Sequence, residues 1–224
     1  MDPRAGVTPS IRNFAHAIDR QRQALERIPL LDVTPSIRNF AQAIDRQRQA
    51  LERIPLLDAT RPDLVEAARA LDEAEAAALA LAPGADLAPL AAVARAVSIP
   101  VLRADFLAEE FRIYESRSAG ADAVLLRASA LPPELLARLV QAATSTHMAA
   151  CVACASAAEI ARAGAARAPV VVLDHSDLHL PVPPRTLVLV RSFSPEARGR
   201  ADAALDPGLT DASSFRQALL EEDR

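Results

Sequence analysis

From Ile54 onward, short apolar runs alternate with stretches of helical periodicity along the chain. Runs of four to seven residues bounded by Pro, Gly or Asp read as buried strands, and the intervening stretches read as amphipathic helices. Strands are expected over Ile54–Asp58, Ala76–Ala82, Ile99–Arg103, Ala123–Arg127, Met148–Cys154, Val170–Leu173 and Leu187–Val190. Helices are expected over Pro62–Ala74, Asp86–Val97, Ala108–Ala119, from Pro132-Pro133 to about Thr144, over Ala157–Ala163, and from about Ser213 to Glu222. Asp63 and Glu66 suit the first turn of their helix, where the backbone dipole favours negative charge. Gly120 and Gly164 are read as helix ends. Strictly alternating strands and helices imply parallel βαβ units.

Ahead of this alternation the chain repeats itself. Val7–Asp32 recurs at Val33–Asp58, and the one change in 26 positions is His16 to Gln42. Thr8 and Thr34 each precede a Pro, a pattern that predicts an N-cap and a first helical position. Ile11, Phe14, Ala15, Ile18 and Leu25 then fall mostly on one helical face, with Arg and Gln opposite. Ile28-Pro-Leu-Leu31 can begin a strand, although Pro suits only a strand start or an edge. Two copies do not make a solenoid, which needs at least about three units. The expected organisation is therefore a surplus copy over residues 1–32 and a single domain over 33–224. A sharper expectation is that the surplus helix docks on a second copy of the chain, giving a homo-oligomer.

Composition narrows the class. The chain has 224 residues, 51% hydrophobic and 24% charged, with net charge −4 and pI near 5.6. A mildly acidic chain gives no electrostatic reason to expect nucleic acid or an anionic membrane as partner. No apolar run approaches the roughly 18 residues of a membrane span, and the N-terminus lacks the basic and apolar regions of a signal peptide. A cytoplasmic location is the default expectation. All 25 basic residues are Arg and none is Lys. Such a chain has no side-chain ammonium to serve as general acid, Schiff-base former or phosphate anchor.

That absence matters beside one segment. Pro100-Val-Leu-Arg-Ala-Asp-Phe106 is followed by Ile113-Tyr-Glu115 and Ala119-Gly-Ala-Asp-Ala-Val-Leu-Leu126. This ordered set resembles the third strand, third helix and fourth strand of indole-3-glycerol phosphate synthase, the (β/α)8 TIM-barrel enzyme that closes the indole ring in tryptophan synthesis. The resemblance spans roughly residues 54–193 and implies an eighth strand near Ala201–Leu205. It also implies a trimmed barrel, since only 192 residues remain from Val33, against about 200 to 400 for the fold. Strands one and eight both look weak, so the barrel is expected either to close or to stay partly open. The helix before the last strand is reduced to Ser194–Arg200.

Residue by residue, the resemblance implies lost chemistry. The family reads Pro-Val-Leu-Arg-Lys-Asp-Phe, and its lysine, the general acid, corresponds to Ala104. The Glu-Ile-Lys of its first strand becomes Leu56-Leu-Asp58, which runs straight on to Arg61-Pro62. On strand five Val-Glu-Val-His becomes Val152-Ala-Cys-Ala155, placing Ala153 at the catalytic Glu. On strand six the binding Asn becomes Asp174 and the Arg becomes Ser176. On strand seven Glu-Ser-Gly becomes Arg191-Ser-Phe193, and a bulky Phe193 there obstructs close backbone approach. Of the family's catalytic positions none is intact. Arg103, Asp105, Phe106, Asp174 and Ser192 are the candidates for a residual pocket, with Arg103 and Asp105 equally suited to a structural ion pair.

The resemblance therefore implies a catalytically degenerate relative, serving as a binding, regulatory or structural and self-assembling subunit. The alternative is a weak or repurposed synthase, a carbon–carbon lyase. A phosphorylated small molecule is the expected ligand class, and neither cofactor nor metal is expected. Cys151 and Cys154 have half-site spacing, but on a strand they point to opposite faces, and His147, His175 and His179 bring no second Cys pair. Asp174, His175 and Ser176 are adjacent, whereas a triad is assembled from distant segments.

Overall fold

The computed structural model describes residues 33–45, 50–84 and 86–222. The expected N-cap at Thr8, the first-copy helix face and the strand after Ile28 lie outside the described residues. Eight parallel strands form one closed barrel in chain order: β1 (Glu52–Leu57), β2 (Leu79–Leu81), β3 (Val101–Phe106), β4 (Ala123–Arg127), β5 (Ala149–Ala153), β6 (Val170–Leu173), β7 (Leu187–Val190) and β8 (Ala203–Asp206). The helices are α1 (Phe40–Ile44), α2 (Leu64–Glu73), α3 (Ala88–Ala96), α4 (Glu110–Ser118), α5 (Pro133–Ser145), α6 (Ala157–Ala165) and α7 (Ala212–Glu222). The chain is a (β/α)8 TIM barrel.

The barrel closes, which decides between the two alternatives that the first and last strands left open. Glu52 to Pro55 pair in register with Ala203 to Asp206. Asp206 accepts two hydrogen bonds from Arg53 across the seam, at 2.6 and 2.9 Å. β8 is the four buried residues Ala203-Ala-Leu-Asp206; with two alanines and an aspartate among them it carries little strand propensity of its own and depends on its neighbours. Pro55 is tolerated inside β1 because pairing with β8 ends there and pairing with β2 begins only at Leu56. Between β7 and β8 a single 3-10 turn at Pro195–Ala197 replaces a helix.

Two apolar layers follow from the two faces of each strand. The outer layer joins strands to helices through residues such as Leu57, Leu71, Val124, Leu136 and Phe215. The barrel interior is unusually small in side-chain volume, with Ala78, Ala80, Ala123, Ala149, Ala153 and Ala203 among its members, where bulky branched residues are the norm. Phe40 and Ile44 of α1, both essentially inaccessible, fill part of the same interior cluster. The second repeat copy is thus the plug at the N-terminal end of the barrel and, continuing through Leu51, its first strand.

The plug starts later than the Thr-Pro pattern predicts. The N-cap is Asn39, whose side chain accepts from the Gln42 backbone N–H at 3.0 Å, and Thr34 precedes a non-helical segment. Ser36 and Arg38 flank a bend and are held outside the helix by tertiary partners. Ser36 donates its backbone N–H to Thr146 and its hydroxyl to the buried Asp122. Arg38 pairs with Asp122 at 2.8 Å and donates to the carbonyls of Ala94, Val97, Ile99 and Gly120. Asp122 also accepts from Arg117 at 2.8 Å and from the Val101 backbone at 2.9 Å. Gly120 ends α4 as expected: its φ is +97°, and a Cβ there would sit 2.5 Å from that of Ala94. Gly164 does not end α6, which runs on to Ala165; the turn is made instead by Arg167 at φ +61°.

Candidate functional site

In this fold the strand C-termini and the loops after them form the functional face. The described residues there build a cavity of about 230 Å³ lined by Arg127, Ala153, Glu159, Asp174 and Arg191, among others. Arg127 ends β4 and Ala153 ends β5, while Asp174 and Arg191 immediately follow β6 and β7. The Phe106 ring, 39% exposed at the end of β3, stacks under the Arg127 guanidinium at 3.9 Å and faces that of Arg191 at 5.7 Å. Cation–π contact of this kind orders both partners where the ring face meets the delocalised charge.

The charged groups around this cavity are engaged. Asp174 pairs with Arg191 at 3.3 Å. Glu159 accepts the Ala155 backbone N–H at 2.9 Å, while the Ser156 hydroxyl accepts that of Glu159 and caps the start of α6. Ala153 brings only a methyl group, and Ala104 lies where the pairing of β3 with β4 is irregular, between Arg103 and Phe106. Arg127 makes its contact with a ring rather than a carboxylate and can offer its donors to an anion, and an Arg cannot give up a proton at neutral pH.

The structure separates the residues named for a residual pocket. Phe106 and Asp174 meet at this mouth through Arg127 and Arg191. Arg103 and Asp105 form their own ion pair at 2.7 Å, and Arg103 also donates to Ser116 of α4 at 2.9 Å. They face a separate crevice of about 20 Å³, room for about one water. Ser192 is exposed, and its carbonyl lies 2.8 Å from Nε2 of His175. Phe193 packs against the outer layer with Arg53 stacked 3.9 Å over its ring. Sequence reasoning missed Arg127 and Glu159. Arg127 carried a signal: a lone charge ending the apolar run Ala123–Leu126, where barrel strands present their functional ends.

The other constellations do not assemble. Asp174, His175 and Ser176 bond to Arg191, the Ser192 carbonyl and Asp177 respectively. Cys151 belongs to the interior layer and Cys154 to the outer one. Burial pushes both thiols up, Cys154 to about 12 with Glu159 adding to the effect. Among the described residues no group of three or more His, Cys, Asp or Glu side chains could hold a metal ion, and no helix is long and apolar enough to cross a membrane.

Comparison with known proteins bears on this barrel directly. The indole-3-glycerol phosphate synthase family model matches residues 11–182. The chain belongs to the indole-3-glycerol phosphate synthase family. Among curated relatives, the indole-3-glycerol phosphate synthase of Kineococcus radiotolerans is 42% identical over 95 residues, covering 42% of this chain and 35% of that protein. That of Chlorobium phaeobacteroides is 34% identical over 136 residues, covering 58% and 53% respectively. The matched stretch thus spans about a third to a half of these synthases. Among solved structures, orotidine 5'-phosphate decarboxylase from Pyrococcus horikoshii aligns with a TM-score of 0.59 at 10% identity, covering 75% of this chain and 98% of that one. A tryptophan synthase α-subunit from Pyrococcus furiosus aligns at 0.57 and 15% identity, covering 76% and 96%. Both share the barrel fold.

Proposed function

We propose that this member of the indole-3-glycerol phosphate synthase family is catalytically silent and keeps its barrel as a binding or regulatory subunit for an anionic, phosphorylated small molecule. The observation that carries this reading is the make-up of the mouth. Ala104 and Ala153 stand at the positions where the family resemblance places general acid and carboxylate; of the carboxylates that line the cavity, Asp174 is paired with Arg191 and Glu159 accepts a backbone N–H. General acid–base catalysis requires a group that exchanges a proton near the working pH within hydrogen-bond reach of the substrate. Arginines supply charge and fork geometry without that exchange. What such a mouth does well is hold an anion.

The competing reading, a weak or repurposed synthase, draws support from the names of the relatives. One experiment separates the two. The purified chain is titrated calorimetrically with the synthase substrate, carboxyphenylamino-deoxyribulose phosphate, while indole fluorescence is followed in the same sample. Binding without indole product, weakened about tenfold or more in Arg191→Ala, is the expected result; a charge-assisted hydrogen bond of about 1.5–3 kcal/mol sets that scale. Indole formation overturns the reading.

A further inference from the structure

The tandem repeat offers two segments to one slot. The receiving side of that slot is made of Asp122, the Thr146 carbonyl, the carbonyls beneath Arg38, the open end of the barrel interior, and the edges of β2 and β8. Residues 33–58 fill it through Ser36, Arg38, Phe40 and Ile44 and then through β1. Residues 7–32 carry Ser10, Arg12, Phe14 and Ile18 at the same places, followed by Glu26–Leu31 identical to β1. The one difference, His16 against Gln42, falls on a side chain that is exposed in the filled slot. The role of position 42 there is to donate its backbone N–H to the Asn39 cap, which any residue but Pro supplies. Among the described residues, no side-chain contact in the slot reads the difference between the copies.

We infer that the two copies exchange: the first copy can occupy the plug and first-strand position of its own barrel, displacing the second. Every contact of the slot is then made again by the equivalent residue. The cost lies in the connection. Now six residues, 58–63, join β1 to α2; after exchange, 32 residues, 32–63, join them. Loop-closure entropy scales as the three-halves power of length, which disfavours the exchanged register by about tenfold. The displaced second copy then leaves the slot within the β1–α2 connection, which starts at the C-terminal end of β1 beside Arg61 and Thr210.

Urea unfolding of the full chain tests this with Phe14→Ala, Phe40→Ala and the double variant. Phe14→Ala leaves the unfolding constant unchanged within about twofold. Phe40→Ala raises it by about tenfold and no more, because the first copy takes over. The double variant raises it on the order of a hundredfold or further, the ordinary cost of emptying a buried Phe site. The milder pair Phe14→Leu and Phe40→Leu gives the same ordering should the double alanine variant fail to fold. A loss in Phe40→Ala equal to that of the double variant overturns the exchange. So does a rescue that grows with protein concentration and comes with dimers, which assigns the first copy to a neighbouring chain.

Discussion

Asp122→Asn tests the proposition that one buried carboxylate anchors the N-terminal end of the barrel. Asp122 is fully buried and receives four donors: the Ser36 hydroxyl, Arg38 and Arg117 at 2.8 Å each, and the Val101 N–H at 2.9 Å. Asn keeps the shape but replaces one acceptor oxygen by a donor and removes the charge between two guanidiniums whose side chains are only 15% and 13% exposed. Breaking a buried pair from one side costs about 3–5 kcal/mol. Arg38 retains its carbonyl acceptors and both guanidiniums keep some water, so the lower end, about 3 kcal/mol, is the expected loss. At about 2–4 °C per kcal/mol for a chain of this size, Tm falls by roughly 6–12 °C. Thermal unfolding followed by far-ultraviolet circular dichroism at neutral pH measures it. The partly exposed Asp72, which accepts two hydrogen bonds from Ser98, provides the control, and Asp72→Asn should lower Tm by less than about 2 °C. A Tm for Asp122→Asn no lower than that of the control refutes the anchoring argument. Because Asp122 belongs to the receiving side of the slot, neither repeat copy can compensate for its loss.

At the β1–β8 seam, Asp206→Asn weakens the two bonds from Arg53 and costs about 2 kcal/mol, with hydrogen exchange rising first at Glu52–Pro55 and Ala203–Asp206; unchanged protection there would remove the seam from the account of closure. Hydrogen bonds from Thr60 hold Asp58 below its usual 3.8, those from Arg61 do so for Asp63, and those from Ser214 for Asp211. Depressed carboxyls contribute stability that is present above the unfolded pKa and lost as pH falls through the folded one. Tm should therefore hold down to about pH 4 and fall below it, with a smaller fall in Asp211→Asn. Cys151 and Cys154 are buried with raised thiol pKa values, so a thiol-specific disulfide reagent at pH 8 should label neither in the native protein and both in urea; rapid native labelling contradicts the packed barrel.

Much of the architecture was legible along the chain because it is local. Parallel strands buried on both faces read as continuous apolar runs, and β4, β6 and β7 fall where the pattern places them. The absence of Lys and the presence of Ala104 and Ala153 are one-dimensional facts that no fold can alter, and so is the duplication. The period of two already set Cys151 and Cys154 on opposite sides of β5. Other features required partners distant in sequence. β8 is only four residues, two of them alanine, and exists because β1 and β7 hold it, across a separation of some 150 residues in the case of Arg53 and Asp206. Thr34-Pro35 carries a helix-start signal that loses to Ser36 and Arg38, whose contacts with Asp122 and Thr146 hold the segment out of the helix. Arg103 and Asp105 lie on the strand that most resembles the family's catalytic strand, yet Ser116 on α4 draws Arg103 toward the helix layer. The mouth was assembled by the pairing of β4, β5, β6 and β7, which brought Arg127, Glu159, Asp174 and Arg191 from four successive βα units to one cavity. Propensity and periodicity act within a few residues, so they determine the elements; ring closure and buried charge act across the whole chain, so only the folded barrel could decide which side chains meet.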